Sequence, residues 1–565
     1  MLAPLLVALA AVAAYLPVVV VPYAFEDDYW VLGAVHGLGG ANVWSAGVSG
    51  GRPIQGALLT GIFAAVPDID ALRVVRVLGL VGTVLLGFLL YHAVRRSGVN
   101  RWVAASVAIT VVTLPAFQVY VSWAVIFEAP YAALLAGLAW LRVPATFAWR
   151  SRTSLLRSAE AAVLLLAALF TYQPAAMFFW VFAAIEVLRP TQPLAEAARR
   201  LAAGLVPAFV ALFGAFVWVK SVHFYYGTGN ARSTLNTDFG GKLDWFWHQP
   251  LPNAANLFEL VPRWSLAAAI ALVAAAGITL LHAPKGRAAI GFVAIAAALV
   301  PLAYLPNLLL SENWASYRSL GALSSLFMVY TWLGLWGIVR AALRSARAVR
   351  RRLVLAVPIA AVLSFLALAL VGIPLSHLPD PPGVHPASLD ALVAWPRVLP
   401  FAVLAALFAA LSLAPTRLVR IGAACAVAAL AVTGVLLAAR NTTTLFARTQ
   451  SLEVRMLRSA LDRPRVSAER RIVFVKPDSN AGAAPLHRYD EFGLPSSFAP
   501  WVPHPAVLLI LRERGRTRRP PIDVLAWDQV PPHPSAAPNT VVVDMRRLRR
   551  HRVDWSLWTL RAQHD

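Results

Sequence analysis

The chain has 565 residues, 59% of them hydrophobic and only 14% charged, with a mean hydropathy of +0.65. Its net charge is +23, but the arginines sit in short clusters between apolar runs and not on one basic face, which excludes nucleic acid as the reason for the excess. A single cysteine, Cys425, lies inside an apolar run, so neither an intrachain disulfide nor a thiolate metal site is available.

Apolar runs of about 18–22 residues recur from end to end, each long enough to cross a ~30 Å hydrocarbon core. This predicts an all-α polytopic membrane protein, since a barrel would show alternating segments of ~10 residues. The first run, LAPLLVALAAVAAYLPVVVVPYA, has no basic n-region and no small-x-small cleavage site, and reads as a retained span. It ends in FEDDYW, residues 25–30, which places Glu26, Asp27 and Asp28 side by side where a span meets water. Three carboxylates near a low-dielectric boundary do not all ionise cheaply. One should have a raised pKa, suited to a general base, or share a divalent cation such as Mg or Mn, with Asp28 as its ligand. Tyr29 and Trp30 supply rings of a kind that stack on sugars or anchor at the headgroups. A plain helix stop with aromatic anchors fits the same six residues.

SGGRPIQG (49–56) follows in the same long loop, its glycines letting backbone and the Arg52 guanidinium approach an anion together. The apolar stretch 53–66 is too short to span and reads as a re-entrant or interfacial helix. Further on, RRSGVNR, RVPATFAWRSRTSLLR, RPTQPLAEAARR, HAPKGR, RAALRSARAVRRR and TRLVR read as cytoplasmic clusters. Between them lie outer loops at 23–71, 116–128, a tight turn at TYQP (171–174), 220–263, 308–318 and 374–396. The 220–263 loop carries Lys220, His223, Arg232, His248 and Arg263 among tyrosines and tryptophans. Such a mixture suits a lipid-linked phosphate and sugar, and equally an interfacial helix. Glu128 and the TYQP turn are placed at the same outer cavity. LSENWASYRSL (310–320) groups Glu312, Trp314, Tyr317 and Arg318. An outer arginine runs against the usual charge bias, so Arg318 either binds an anion or pairs with Glu312.

This pattern gives about thirteen spans with the N-terminus inside, and puts everything after about residue 440 outside. From there the hydropathy falls. An amphipathic helix, RTQSLEVRMLRSALDR, precedes four runs read as β-type: RIVFVKP, AVLLILRERG, IDVLAW and TVVVDMR. They predict a small α/β extracytoplasmic domain over 441–565 beside a membrane domain over 1–440. Its RRLRRHR patch (546–552) reads as a solvated face or a contact with anionic lipid or glycan. The chain has no Walker loop, no GxSxG and no dinucleotide fingerprint, and His223 and His248 lack the spacing of a zinc pair.

FEDDYW, GRP, TYQP and ENWASYR, in this order along such a layout, resemble the GT-C superfamily of integral-membrane glycosyltransferases. The likeness is greatest to the bacterial O-antigen glucosyltransferase type and to actinobacterial cell-wall transferases with an outer C-terminal domain. The resemblance implies a polyprenyl-phosphate sugar as donor and a cell-envelope glycan or lipid as acceptor, joined at the outer face of the plasma membrane. Asp27 or Asp28 inherits the role of base, and Arg52 and Arg318 the donor phosphate. Glu26, Lys220, His223, Glu312 and Tyr317 are candidates for substrate contacts. Two other functions share these features: a flippase or transporter of lipid-linked glycans, and a glycan polymerase or ligase. A transporter should carry mid-membrane charges and a repeat between halves, and no repeat is visible.

Overall fold

The computed structural model describes residues 2–40, 42–227, 234–260, 264–344, 416–462, 471–477, 491–516, 519–529, 540–546 and 548. Arg232, Arg263, the loop 374–396, the spans expected between 353 and 415, and most of the RRLRRHR patch lie outside these residues.

The first span is α1 (Leu2–Val20), followed by three short helices, α2 (Asp27–Val35), α3 (Val43–Ser49) and α4 (Pro53–Ala64). The bundle continues with α5 (Leu72–Arg96), α6 (Arg101–Val112), α7 (Pro115–Ser122), α8 (Ala129–Arg142), α9 (Arg152–Ala176), α10 (Phe178–Val187) and α11 (Leu194–Tyr226). Next come α12 (Phe239–His248), α13 (Pro250–Ala255), α14 (Trp264–His282), α15 (Ala288–Leu302), α16 (Leu305–Leu309) and α17 (Gly321–Arg344). After residue 415 the chain resumes as α18 (Thr416–Asn441), which runs through a widened turn into α19 (Thr449–Leu461).

Seven stretches among the described residues are long and apolar enough to cross a bilayer, and α6 with α7 forms an eighth bent by 60°. Four shorter apolar helices accompany them. This is a multi-pass helical membrane protein. The bend has a local cause: Pro115 lacks an N–H for the α6 ladder, and Leu114 before it is held extended. The stretch 116–128, expected as an outer loop, is instead buried along its whole length, as most of α7, a single 3-10 turn and the two residues before α8. Most of its residues are apolar, so packing among helices satisfies them better than water does. The expected loop 220–263 also begins later, because α11 extends to Tyr226. The segment 53–66 forms the short helix α4, as expected. Where α14 crosses α17, a Cβ on Gly277 would lie 2.1 Å from the Gly334 carbonyl oxygen, so only glycine permits that approach.

The last segment holds β1 (Arg471–Val475), α20 (Pro503–Glu513), β2 (Ile522–Leu525) and β3 (Thr540–Asp544). The strands form one parallel sheet in the order β2-β1-β3, with Ile472 opposite Ile522 on one side and Val541 on the other. AVLLILRERG, expected as a strand, is the helix α20. A short run that is apolar throughout suits a buried helix as well as a buried strand, and parallel β1 and β2 require a crossover between them. Pro503 at the first position and six consecutive buried residues, Ala506–Leu511, settle it as the helix.

Candidate active site

The chain leaves α1 through Tyr23, Ala24 and Phe25, all buried, and turns at Glu26, whose φ of 39° is rare for a side chain with a Cβ. Asp27 and Asp28 then occupy the first turn of α2, where the helix dipole favours negative charge. Their surroundings differ sharply. Asp28 is fully buried: Oδ2 accepts from the Phe25 N–H and Oδ1 from the Val125 N–H, each at 3.0 Å. The equally buried Arg76 of α5 approaches Oδ2 at 3.7 Å. Arg76 Nε donates to the Ser122 carbonyl at 3.1 Å, another of its nitrogens donates to the Tyr23 carbonyl, and the guanidinium lies 3.5 Å from the Tyr23 ring centroid. The Tyr23 hydroxyl also donates to the Ser122 carbonyl, at 2.7 Å. Burial pushes the Asp28 carboxyl up to about 7, opposed by Arg76 and the two backbone N–H groups and aided by the Asp27 charge. Asp28 thus ties the start of α2 to the segment that follows α1, to α5 and to the 3-10 turn that precedes α8.

Asp27 is only half-buried, and its Oδ1 accepts from the Trp501 indole N–H at 3.0 Å. Glu26, also half-buried, donates its backbone N–H to Ser496 Oγ at 3.0 Å. Tyr29 is buried and offers no free face to a sugar, which corrects the reading of that ring as a stacking surface.

Arg318 lies on the same side of this corner. Its guanidinium is held between the Trp123 and Trp314 rings, 4.3 and 4.2 Å from their centroids, and Nε is 3.4 Å from Glu491 Oε1. The carboxylate beside Arg318 is thus not Glu312, the pairing expected as the alternative to a bound anion, but Glu491 of the C-terminal segment. Burial lowers the Arg318 pKa, but Tyr172, Glu491, Asp27 and Glu26 outweigh it and leave the group above its ordinary value.

Arg52 precedes α4, and its Nε donates to Gln173 Oε1 while its guanidinium lies 4.9 Å from the Tyr172 ring centroid. Gly51 has φ +73°, and a Cβ there would meet Val219 at 2.6 Å, so GRP needs its glycine twice over. The TYQP segment supplies both partners of Arg52 because Tyr172 breaks α9 ahead of Pro174. Tyr172 stands in the field of both Arg52 and Arg318, and of Glu128 and Glu491. Glu128 is fully buried; its Oε1 accepts from Gln55 Nε2, and its Oε2 has no protein hydrogen-bond donor among the described residues. FEDDYW, GRP, TYQP and ENWASYR, spread over almost 300 residues, thus meet at one end of the bundle.

The other expected residues make contacts of their own. Lys220 is exposed on α11, with Nζ 5.7 Å from the Phe216 ring centroid. His223 bonds the Ser49 carbonyl through Nε2 at 3.2 Å. Glu312 accepts from Lys242 Nζ through its backbone carbonyl at 2.8 Å. Tyr317 is buried, its hydroxyl donating to the Leu260 carbonyl at 2.7 Å and its ring packing edge-on against Phe492.

Sequence reasoning missed Arg76, Trp123, Glu491 and Trp501. Arg76 carried a signal, since an arginine inside an apolar run demands a partner. The others came from segments read as loop or tail. A divalent cation fits poorly at Asp28, whose oxygens already face two N–H groups and a guanidinium, and no group of three or more His, Cys, Asp or Glu among the described residues is placed to hold a metal.

No family model matches the chain, and no curated protein is significantly similar to it. Among solved structures it is similar to the crystal structure of ArnT from Cupriavidus metallidurans in the apo state, at 13% identity and a TM-score of 0.36, over 92% of this chain and 88% of that one. A likeness that distant assigns no residue a role; the chemistry of this site has to be read from its own side chains.

Proposed function

We propose that this protein is a membrane glycosyltransferase of the GT-C type, which moves a sugar from a polyprenyl-phosphate donor to a hydroxyl of a cell-envelope glycan or lipid at the outer face of the plasma membrane. The observation that carries the reading is a half-buried carboxylate, Asp27, whose charge reaches Arg318, with Tyr172 in the field of both Arg318 and Arg52 at one end of a membrane bundle. An acid beside cations is what displacement at an anomeric carbon with a phosphate leaving group requires.

In this mechanism Asp27 takes the proton of the acceptor hydroxyl as its oxygen bonds to the anomeric carbon. The bond from that carbon to the phosphate oxygen breaks, and the lipid phosphate departs with the electron pair. It is already a competent leaving group and needs no general acid. Arg318 is held by two indoles, so its guanidinium is fixed before the charge develops; Arg52, tethered by Gln173, supplies the second cation. Asp28 and Arg76 hold the corner that presents Asp27 and take no part in proton transfer. Residues 441–565 form an outer domain that closes one side of the site through Glu491, Ser496 and Trp501. The test is incubation of purified protein with polyprenyl-phosphate hexoses radiolabelled in the sugar. Transfer or hydrolysis that depends on Asp27 and Arg318 supports the reading; neither, across the donor panel, refutes it.

A further inference from the structure

Trp501 is anchored from three sides. Ser496 and Ser497 donate their backbone N–H groups to Glu453 Oε2 and Oε1, each at 2.8 Å, which fixes the start of its loop. The Val502 N–H closes a turn onto the Ala499 carbonyl at 3.1 Å, and Pro503 begins α20 immediately afterwards. The indole N–H is spent on Asp27 Oδ1 at 3.0 Å. Yet 50% of the residue is exposed, whereas Val502, next to it in the chain, is buried. A large apolar ring is thus held rigid and open, bonded by its edge to an acid 474 positions away.

A pyranose has an apolar C–H face and hydroxyls around its rim. If that face covers the indole, a rim hydroxyl is brought to the carboxylate that the same indole binds. A rigid aromatic surface does this at little entropic cost. The hydrogen bond has a separate effect: it fixes the carboxylate plane and favours its ionised form.

We propose that Trp501 is the platform for a pyranose acceptor and the positioning residue for Asp27. The inference rests on the reading of Asp27 as base given above, and adds that the acceptor presents a sugar ring, not a simple lipid alcohol. Two substitutions separate the roles. Trp501→Phe keeps a ring and removes the N–H; Trp501→Ala removes both, with Trp501→Leu in its place should the alanine variant not fold.

Saturation-transfer NMR with methyl gluco-, galacto- and mannopyranosides reads the platform without any turnover. Wild type and Trp501→Phe should saturate the ring C–H protons of at least one probe, and Trp501→Ala should lose that signal. Absence of signal in wild type, or an unchanged signal in Trp501→Ala, overturns the platform. The pH profile of donor turnover, transfer and hydrolysis together, reads the positioning role. In Trp501→Phe the acid limb should move upward and the plateau fall by about tenfold, the scale of one hydrogen bond to a charged group. An unmoved limb in Trp501→Phe, with Asp27→Asn inactive, overturns positioning and leaves the base intact. Wild-type turnover in Asp27→Asn would instead remove the reading on which both rest.

Discussion

Asp27 and Asp28 are neighbours in sequence and share one helical turn, yet they belong to opposite regimes. Around Asp28 every surrounding group is protein: two backbone N–H groups, the Arg76 guanidinium and the Tyr23 ring beyond it. Asp27 is only half-buried, with an indole on one oxygen and the Arg318 charge in range. The arginines divide the same way. Arg76 is sealed, whereas Arg318 keeps part of its side chain accessible, with its guanidinium over two indole rings. Residue type alone does not separate scaffold from chemistry here; the completeness of the protein shell does.

Breaking the sealed pair should do the most damage. Arg76→Met takes donors away from the buried Ser122 and Tyr23 carbonyls as well as the cation beside Asp28, and each buried polar group left unsatisfied costs about 1–3 kcal/mol. Thermal unfolding in detergent should fall markedly, and by more than in Arg318→Ala, which takes a cation from the Glu491 carboxylate but, among the described residues, no donor from a backbone carbonyl. Comparable melting losses in both would erase the distinction between a sealed and an open arginine. For activity the ranking reverses. Arg318→Lys retains charge but loses the planar fork, and should lower turnover by about tenfold or more with folding intact. Wild-type rates in both Arg318→Lys and Arg318→Ala would leave the Glu491 pair as its whole purpose.

Asp28 also makes a prediction about pH. Its folded pKa of about 7 lies above the ~3.9 of an unfolded aspartate, so the folded state binds more protons between those values. Its contribution is fully present below about pH 4 and is lost as pH rises through 7. The stability of wild type relative to Asp28→Asn should therefore decline from about pH 4 to 7 and level off above. A relative stability that climbs over that window would mean the carboxylate is ionised and held by Arg76. At the small end, Lys220→Ala should leave turnover within about twofold, because Lys220 stands exposed on α11. A tenfold loss would extend the site along that helix.

Much of the bundle was legible because spans of this length leave a composition signal that no tertiary contact needs to supply. The four polar motifs were legible as well, since charged and glycine-containing islands at span ends stand out against alanine, leucine and valine. What could not be read is which acid faces inward. That depends on Arg76, which reaches Asp28 from α5 only once the bundle is assembled. Glu491 and Trp501 belong to a tail without periodicity, and their meeting with Arg318 and Asp27 closes contacts over more than 170 and 470 residues. The run AVLLILRERG shows the same limit at short range. Its apolar stretch is compatible with either element, and the parallel register of β1 with β2 makes it the crossover helix.

The most direct measurement compares Asp27→Asn with Asp28→Asn in folded, purified protein, following sugar release from a radiolabelled polyprenyl-phosphate hexose and donor binding side by side. Asparagine matches aspartate in shape but takes no proton at neutral pH. Asp27→Asn should bind donor normally and lose turnover by a factor of about 10² or more. Asp28→Asn should lose stability first and keep a measurable rate where it remains folded. Wild-type turnover in Asp27→Asn, or full loss confined to well-folded Asp28→Asn, would contradict the assignment of the open acid as the base.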